Sequence, residues 1–507
     1  MEYLSVTDAQ KCILESVKLL AAEPVMLEQS LGRVLAGDVR ANRDLPPYDV
    51  SAMDGYAVRS ADLTNIPAIL EVIEDIKAGD MPGKTVRTGQ CARIMTGAPV
   101  PQGADAVIRV EDTRPFAEGK VRINAAVKPG NDVRAQGEGM RNGDVVLTAG
   151  TEITPGVIGV LATVKKAQVQ VYRRPRVAIL STGNELEDMD DPVDPNKIPN
   201  SNSYALMAQV QALGIEPDLL GIARDDPVEL EEYLQRGLRF DVLLVSGGTS
   251  VGVHDYVRPT VEALGVQMKF WRVAMKPGHP VAFGVLQRNI NGTSKSVEAD
   301  GGQDTVCEAF GAGLPASPHS RNLPLRGNVS SGPVQGARSA ATQAYLSDRQ
   351  GSEHRATQRA EGWLQSSREP TGLPLAGECA VSTVFVFGLP GNPVSSMVCF
   401  EQFVAPALRR MMGHERLFRR TITARLTHNV KHHPGRTEFV RVTLAEDGGG
   451  HAVTSTGAQG SGMLLSMARA DGLLVVPPQS TGLVAGAAVT VLLLDGTVFQ
   501  NDVGFGV

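Results

Sequence analysis

The sequence predicts an α/β multidomain protein, with a doubly wound α/β domain flanked by an N-terminal helical and β-rich region and a small C-terminal β domain. Three observations carry this. At 507 residues the chain exceeds what one hydrophobic core serves. Between Arg176 and Gly413, short apolar runs alternate with amphipathic stretches, the mark of a parallel, doubly wound sheet. On either side, short apolar runs broken by Pro and Gly read as β-strands.

The first helix opens at a capping box, Thr7-x-x-Gln10, and turns Ile13, Val17 and Leu20 to one face. It belongs to an elongated helical domain expected over 1–45 and 140–175, whose helical pattern resumes near Pro155. Residues 46–139, with runs such as PAIL and DAVIRVED, predict an inserted β-rich domain. In the α/β domain, expected over 176–412, VAIL from Val177 runs into STGNEL and then a helix near Ser203 to Leu213. Asp226-Pro227 starts another helix, with Asp as N-cap and Pro in the first turn. VLLV from Val242 runs into SGGTSVGVHDY, Phe270 to Ala274 into MKPGHP, and Val384 to Phe387 into GLPGNP ahead of VSSMVCFEQFV. Residues 291–380 are rich in Ser, Gly, Gln, Ala and Arg with little apolar periodicity, so a disordered insertion is expected there. From 413 to 507, TITARLTHNV, TEFVRVTL and AAVTVLLL predict the C-terminal β domain.

Hydrophobic residues at 42%, charged residues at 21% and a net charge of -6 describe an ordinary soluble protein without the basic footprint of a nucleic-acid binder. Cys12, Cys91, Cys307, Cys379 and Cys399 are odd in number and scattered, which excludes a disulfide framework or zinc knuckle. The N-terminus lacks a basic-then-apolar pattern and no run is long and apolar enough to span a bilayer, so a cytoplasmic protein with no membrane partner is expected. Asn291-Gly-Thr293 and Asn328-Val-Ser330 are chance matches to the glycosylation pattern.

Ligands of open α/β sheets bind beyond the carboxyl ends of the strands, where loops expose backbone N–H groups. Those loops hold Ser181, Thr182 and Glu185, then Asp225 and Asp226, then Ser246, Gly247, Gly248, Ser250 and Asp255, then Lys276, and finally Gly388 to Pro393. Glycines permit close approach to an oxyanion, Lys276 offers a point charge and the acids can hold hydrated Mg2+, a combination suited to a phosphorylated substrate. Each feature has a duller reading: Gly-Gly as a tight turn, Asp226 as a helix cap, Glu185 or Lys276 on a solvated rim. Their placement on one sheet edge favours a site. AGDMPGKT from Ala78 lacks the first glycine and the strand–loop–helix context of a phosphate-binding loop, and His432-His433 reads as an exposed turn.

Nine segments, in order, resemble the molybdopterin molybdenumtransferases, the family of bacterial MoeA and the gephyrin E domain. They are SAMDGYAVR, RIMTGAPVPQGADAV, STGNEL, ARDDP, SGGTSVGVHDY, KPGHP, GLPGNPVS, PGRTEF and TGAQGS, and the similarity that they carry extends over nearly all of the chain outside the insertion. The resemblance implies an α/β domain of the molybdopterin-binding type. It also implies insertion of molybdenum from molybdate into adenylylated molybdopterin, with release of AMP and Mg2+ as cofactor. Carried over residue by residue, it assigns catalytic roles to Asp54, Thr96, Glu185, Asp225, Asp226, Asp255 and Lys276, with Glu185 and Asp255 holding the metal. Ser181, Thr182, Ser246, Gly247, Gly248, Ser250, Pro390, Pro393, Arg436 and Ser461 are expected to bind substrate, Arg436 through the donor fork that suits a tetrahedral oxoanion.

Five positions depart from the pattern that the resemblance implies: Gly139 for the Asp of GED, Asn184 for that of STGDEL, Asn200 for that of DSN, His279 in KPGHP and Ala458 in TGAQ. The resemblance further implies a homodimer with a composite active site in which Asp54 and Asp255 meet across a two-fold axis, and leaves open an adenylyltransferase partner. Two other readings stay open at this point: a gephyrin-like scaffold that binds receptor peptides, and the molybdopterin adenylyltransferase, whose domain resembles the α/β portion.

Overall fold

A computed structural model of the chain describes residues 3–248, 256–289, 381–448 and 450–494; the expected insertion, 291–380, lies outside the described residues. The central sheet has six strands in the order 218–223, 177–182, 242–246, 381–389, 282–289, 267–270. Val177–Thr182 pairs in parallel with Asp218–Ala223 on one side and Val242–Ser246 on the other, and the latter pairs in parallel with Val381–Leu389. VAIL and VLLV are buried throughout, as both faces of such a sheet require. The strand expected over Phe270 to Ala274 ends instead at Phe270: Gln267–Phe270 is an antiparallel edge strand, and Met275–Lys276 leaves to pair with the C-terminal sheet.

Helices Ser201–Gln211 and Pro227–Gly237 connect the parallel strands, and Asp226 caps the second by accepting from the Val228 and Glu229 amides at 3.0 and 2.9 Å. After GLPGNP the helix from Pro393 runs to Met411 through a π-helical turn at Phe400–Val404.

The first helix, Val6–Ser16, is capped two residues before Thr7. Ser5 accepts from the Asp8 amide at 3.0 Å, and Asp8 takes the place in the first turn that the sequence reading gave to Gln10. Its buried face, Val6, Ala9, Ile13 and Val17, joins the α/β core beside Phe270, Phe283 and Phe403, so this helix packs with the central sheet. The rest of the N-terminal region is built from pairs of early and late segments: Ala22–Met26 with Gln168–Tyr172, Val39–Arg40 with Val145–Leu147, and Val50–Ser51 with Val133–Arg134. Between the last two lies a six-stranded sheet with order 106–109, 55–58, 90–94, 68–76, 120–123, 113–117.

The C-terminal strands 437–447, 450–455, 421–426, 488–493 and 472–476 close on themselves, because Thr437–Asp447 also pairs with Gly472–Val476. Closure removes the exposed edges of a small sheet. Alternate residues, including Leu426, Val440, Val442, Leu474 and Val491, fill the interior.

Candidate active site

The strand Val177–Thr182 lies where the chain passes first to one neighbour and then, by a second crossover, to the other. Such a reversal opens a crevice at the carboxyl ends of the strands. A cavity of about 60 Å3 occupies it, lined by Thr182, Glu185, Asn202, Ser246, Gly247 and Pro393 among others.

The walls are braced. Ser181 Oγ donates to Asn200 Oδ1 at 2.8 Å and lies 2.9 Å from Ser203 Oγ. Asn202 Nδ2 donates to Ser246 Oγ and to the Gly391 carbonyl, both at 2.7 Å, which ties the loops after two strands together. Two buried oxygens, Thr182 Oγ1 and Asn202 Oδ1, have no partner. Buried polar atoms are rarely left so, and both residues line the crevice. Gly247 sits at φ +96°, and a Cβ there would lie 2.6 Å from the Thr182 carbonyl oxygen, so only glycine keeps this approach of loop to strand.

Glu185 is exposed and lines the cavity. Asn184 and Asp225 exchange hydrogen bonds, each amide donating to the other's side-chain oxygen at 3.2 Å, and Lys197 donates to the Asn184 carbonyl. One carboxylate oxygen of Asp226 is engaged at the start of its helix. Lys276 stands on the short strand beside the C-terminal barrel, its Nζ 2.8 Å from Glu438 Oε1. His432 is buried, against the exposed turn expected of it, because its Nδ1 pairs with Glu438 Oε2 at 2.8 Å; His433 is exposed. Burial, followed by the charges of Arg436 and Arg272, holds the His279 imidazole below its ordinary pKa.

Ser461 meets the GLPGNP loop: its carbonyl accepts from the Val394 amide at 3.1 Å, beside Pro393. Buried Arg441 and Gln459 build this turn. Arg441 donates to the Gly460 carbonyl at 3.0 Å and to Ser466 Oγ at 3.1 Å, and Gln459 Oε1 accepts from the Arg441 amide at 2.9 Å.

Asp54 and Thr96 form a separate pair on the N-terminal sheet. The Thr96 amide and hydroxyl donate to one Asp54 oxygen at 2.7 and 2.8 Å, and first the amide, then the hydroxyl, holds this exposed carboxyl below its usual range. Neither residue lines the crevice of its own chain. Ser250 and Asp255 lie outside the described residues. AGDMPGKT is not a phosphate loop, since its Gly83 and Lys84 amides are taken by the Glu74 carboxylate at 2.8 and 3.1 Å.

A protein named molybdopterin molybdenumtransferase from Nostoc sp. is 33% identical over 479 residues, covering 93% of this chain and 88% of that protein. The chain belongs to the molybdopterin molybdenumtransferase family. Residues 4–164 match the MoeA N-terminal region (domain I and II), 178–322 the family described as a probable molybdopterin binding domain, and 423–494 the MoeA C-terminal region (domain IV). A molybdopterin molybdenumtransferase from Staphylococcus epidermidis is 27% identical across 98% of this chain and 97% of its own. The crystal structure of a molybdopterin biosynthesis MoeA protein from Pyrococcus horikoshii superposes with a TM-score of 0.68 at 26% identity, covering 98% of this chain and all (100%) of that one.

Of the five positions read as departures, two take up neutral hydrogen-bonding roles. Asn184 accepts from the Asp225 amide, and Asn200 caps its helix and accepts from Ser181. Sequence reasoning missed Asn202, Glu438, Arg441 and Gln459 as parts of the candidate site. The TGAQGS and PGRTEF segments flagged the neighbourhoods of the last three, but hydrogen bonds between distant segments leave no periodic signal.

Among the described residues no three His, Cys, Asp or Glu side chains are gathered to hold a metal. Glu185 and the unpartnered oxygens of Thr182 and Asn202 supply an all-oxygen set, which fits a hard cation that keeps several waters.

Proposed function

We propose that this chain inserts molybdenum from molybdate into adenylylated molybdopterin and releases AMP, as a cytosolic homodimer that uses Mg2+. The observation that carries the reading is the crevice at the switch point. It combines unpartnered buried oxygens, a glycine that admits close approach and a bordering acid, within a chain that matches the family from end to end.

The braced Ser181–Asn200–Ser203 cluster keeps Thr182 and Asn202 in place, so that their unpartnered oxygens join Glu185 in facing the cation and its waters. Glu185 and Asp225, with Asp255 outside the described residues, are the carboxylates available to Mg2+. When bound, the ion offsets charge on the phosphoanhydride oxygens. Lys276 and Arg436 attract the incoming oxoanion and offset its charge, an electrostatic role that needs no covalent intermediate. The Ser461 turn is held against the GLPGNP loop, which borders the crevice at Gly391 and Pro393. The partner subunit's Asp54 and the partner subunit's Thr96 complete the site, since in one chain this pair stands apart from the crevice.

An adenylyltransferase is not favoured, because the match runs through the N-terminal, central and C-terminal families together, and a peptide-binding scaffold is not favoured, because the full-length relatives are named molybdopterin molybdenumtransferases. The purified chain given adenylylated molybdopterin and Mg2+ should release AMP on addition of molybdate, followed by chromatography. Release that ignores molybdate, or acceptance of free molybdopterin with ATP, overturns the reading.

A further inference from the structure

We infer that Glu438 and His432 are positioning residues that aim the Lys276 ammonium at the substrate oxoanion. The inference rests on the reading above, in which Lys276 meets that anion.

Three side chains form a chain of contacts from the interior outward. His432 is 2% exposed, Glu438 7% and Lys276 48% at the side chain, so a buried pair carries a half-exposed cation. Each Glu438 oxygen has one partner, Oε2 at 2.8 Å from His432 Nδ1 and Oε1 at 2.8 Å from Lys276 Nζ. Lys276 and Glu438 are register neighbours on paired parallel strands, so the backbone fixes the spacing of the two side chains. Burial pushes the Glu438 carboxyl up, and the hydrogen bonds and charges of Lys276 and His432 more than offset it, leaving the group below its ordinary range.

This arrangement answers a specific problem. A lysine is a compact charge on a flexible four-carbon stem, and freezing it on a ligand loses rotamer freedom. An ammonium already held by one hydrogen bond loses less and keeps two N–H donors for the anion. A carboxylate alone would oppose anion binding. His432 donates to its far oxygen and draws charge away from the side that faces Lys276. With Nδ1–H so engaged, His432 Nε2 remains buried without a partner, a cost that the fold carries at this position and that shape alone would not demand.

The test is a double-mutant cycle on kcat/KM for molybdate-dependent AMP release, with the molybdate dissociation constant measured by equilibrium dialysis as a readout free of turnover. Glu438→Gln and His432→Leu should each weaken molybdate binding and kcat/KM about tenfold in the wild-type background, and less than about twofold in the Lys276→Ala background, because both act through Lys276. His432→Asn, whose amide nitrogen can stand where Nδ1 stands, should restore most of the loss; it also keeps the test open if His432→Leu fails to fold. Equal losses in both backgrounds, or no rescue by His432→Asn, would show a merely structural pair and overturn the inference. Lys276→Ala that binds molybdate and turns over like wild type overturns it too, while molybdate-dependent AMP release by the wild type would leave the proposed function standing. If the wild type binds no molybdate, both fall.

Discussion

Asn184 and Asp225 hold each other by reciprocal hydrogen bonds, each backbone amide donating to the other's side-chain oxygen at 3.2 Å. The pair ties the loop after Val177–Thr182 to the loop after Asp218–Ala223, on the side of the crevice where Glu185 sits. Asn184→Ala removes one acceptor and should cost about 1 kcal/mol in urea unfolding, the usual net worth of such a bond at an exposed site. Asn184→Asp keeps the acceptor and adds a negative charge beside Asp225. It should lower the Mg2+ concentration that half-saturates AMP release, and an unchanged Mg2+ titration would place the metal elsewhere.

The Asp54–Thr96 pair gives a pH prediction. The Thr96 amide and hydroxyl hold the Asp54 carboxyl below its ordinary value. A depressed folded value means that the ionised form and its bonds are fully present above the unfolded value, near 3.9, and are lost as pH falls through the lower folded one. Thr96→Val removes the hydroxyl bond and keeps the amide bond, so the Asp54 titration should move up toward the ordinary carboxylate value. Carboxyl-detected NMR titration follows it, and an unmoved midpoint would contradict the hydrogen-bond account.

Gln459→Ala leaves the buried Arg441 amide without its acceptor and loosens the turn that carries Ser461. An unsatisfied buried donor costs about 1–3 kcal/mol. Urea unfolding should show a loss of that size, with weaker substrate binding. A variant as stable as wild type would mean that the turn does not depend on Gln459.

Much of this site was legible in the chain because strand ends in an α/β sheet dictate where ligands go. VAIL and VLLV read as buried strands from composition, and their loops delivered Thr182, Ser246 and Gly247 to one crevice. Asp226 was read both as a cap and as a catalytic acid, and the structure shows the cap. What escaped reading came from pairings between distant segments. Met275–Lys276 read as the start of the loop after an α/β strand, yet it pairs with Thr437 and Glu438, about 160 residues on, and no local pattern encodes such a register. His432 looked exposed in a polar HHPG sequence because its partner, Glu438, lies beyond the turn. The first helix read as amphipathic, but which core receives its Ile13 face depends on the Phe-rich sheet that follows much later in sequence.

The shared-site reading makes a complementation prediction. Asp54→Ala and Glu185→Ala each spoil both sites of a two-fold dimer. Mixed and exchanged freely, about half of the dimers are heterodimers with one intact and one doubly altered site, so activity should return to roughly a quarter of wild type. Native mass spectrometry showing heterodimers with activity still at the single-variant baseline would place both residues in the same subunit's site.

The central claim is molybdenum insertion, and the most direct measurement counts both products in one reaction. Purified chain is incubated with adenylylated molybdopterin and Mg2+, with and without molybdate. AMP is quantified by chromatography, and molybdenum retained on the dithiolene by elemental analysis after gel filtration. The account predicts AMP and bound molybdenum in equal amounts, both lost in the Lys276→Ala chain and without molybdate. AMP formed at the same rate without molybdate, or AMP released with no molybdenum retained, would contradict it.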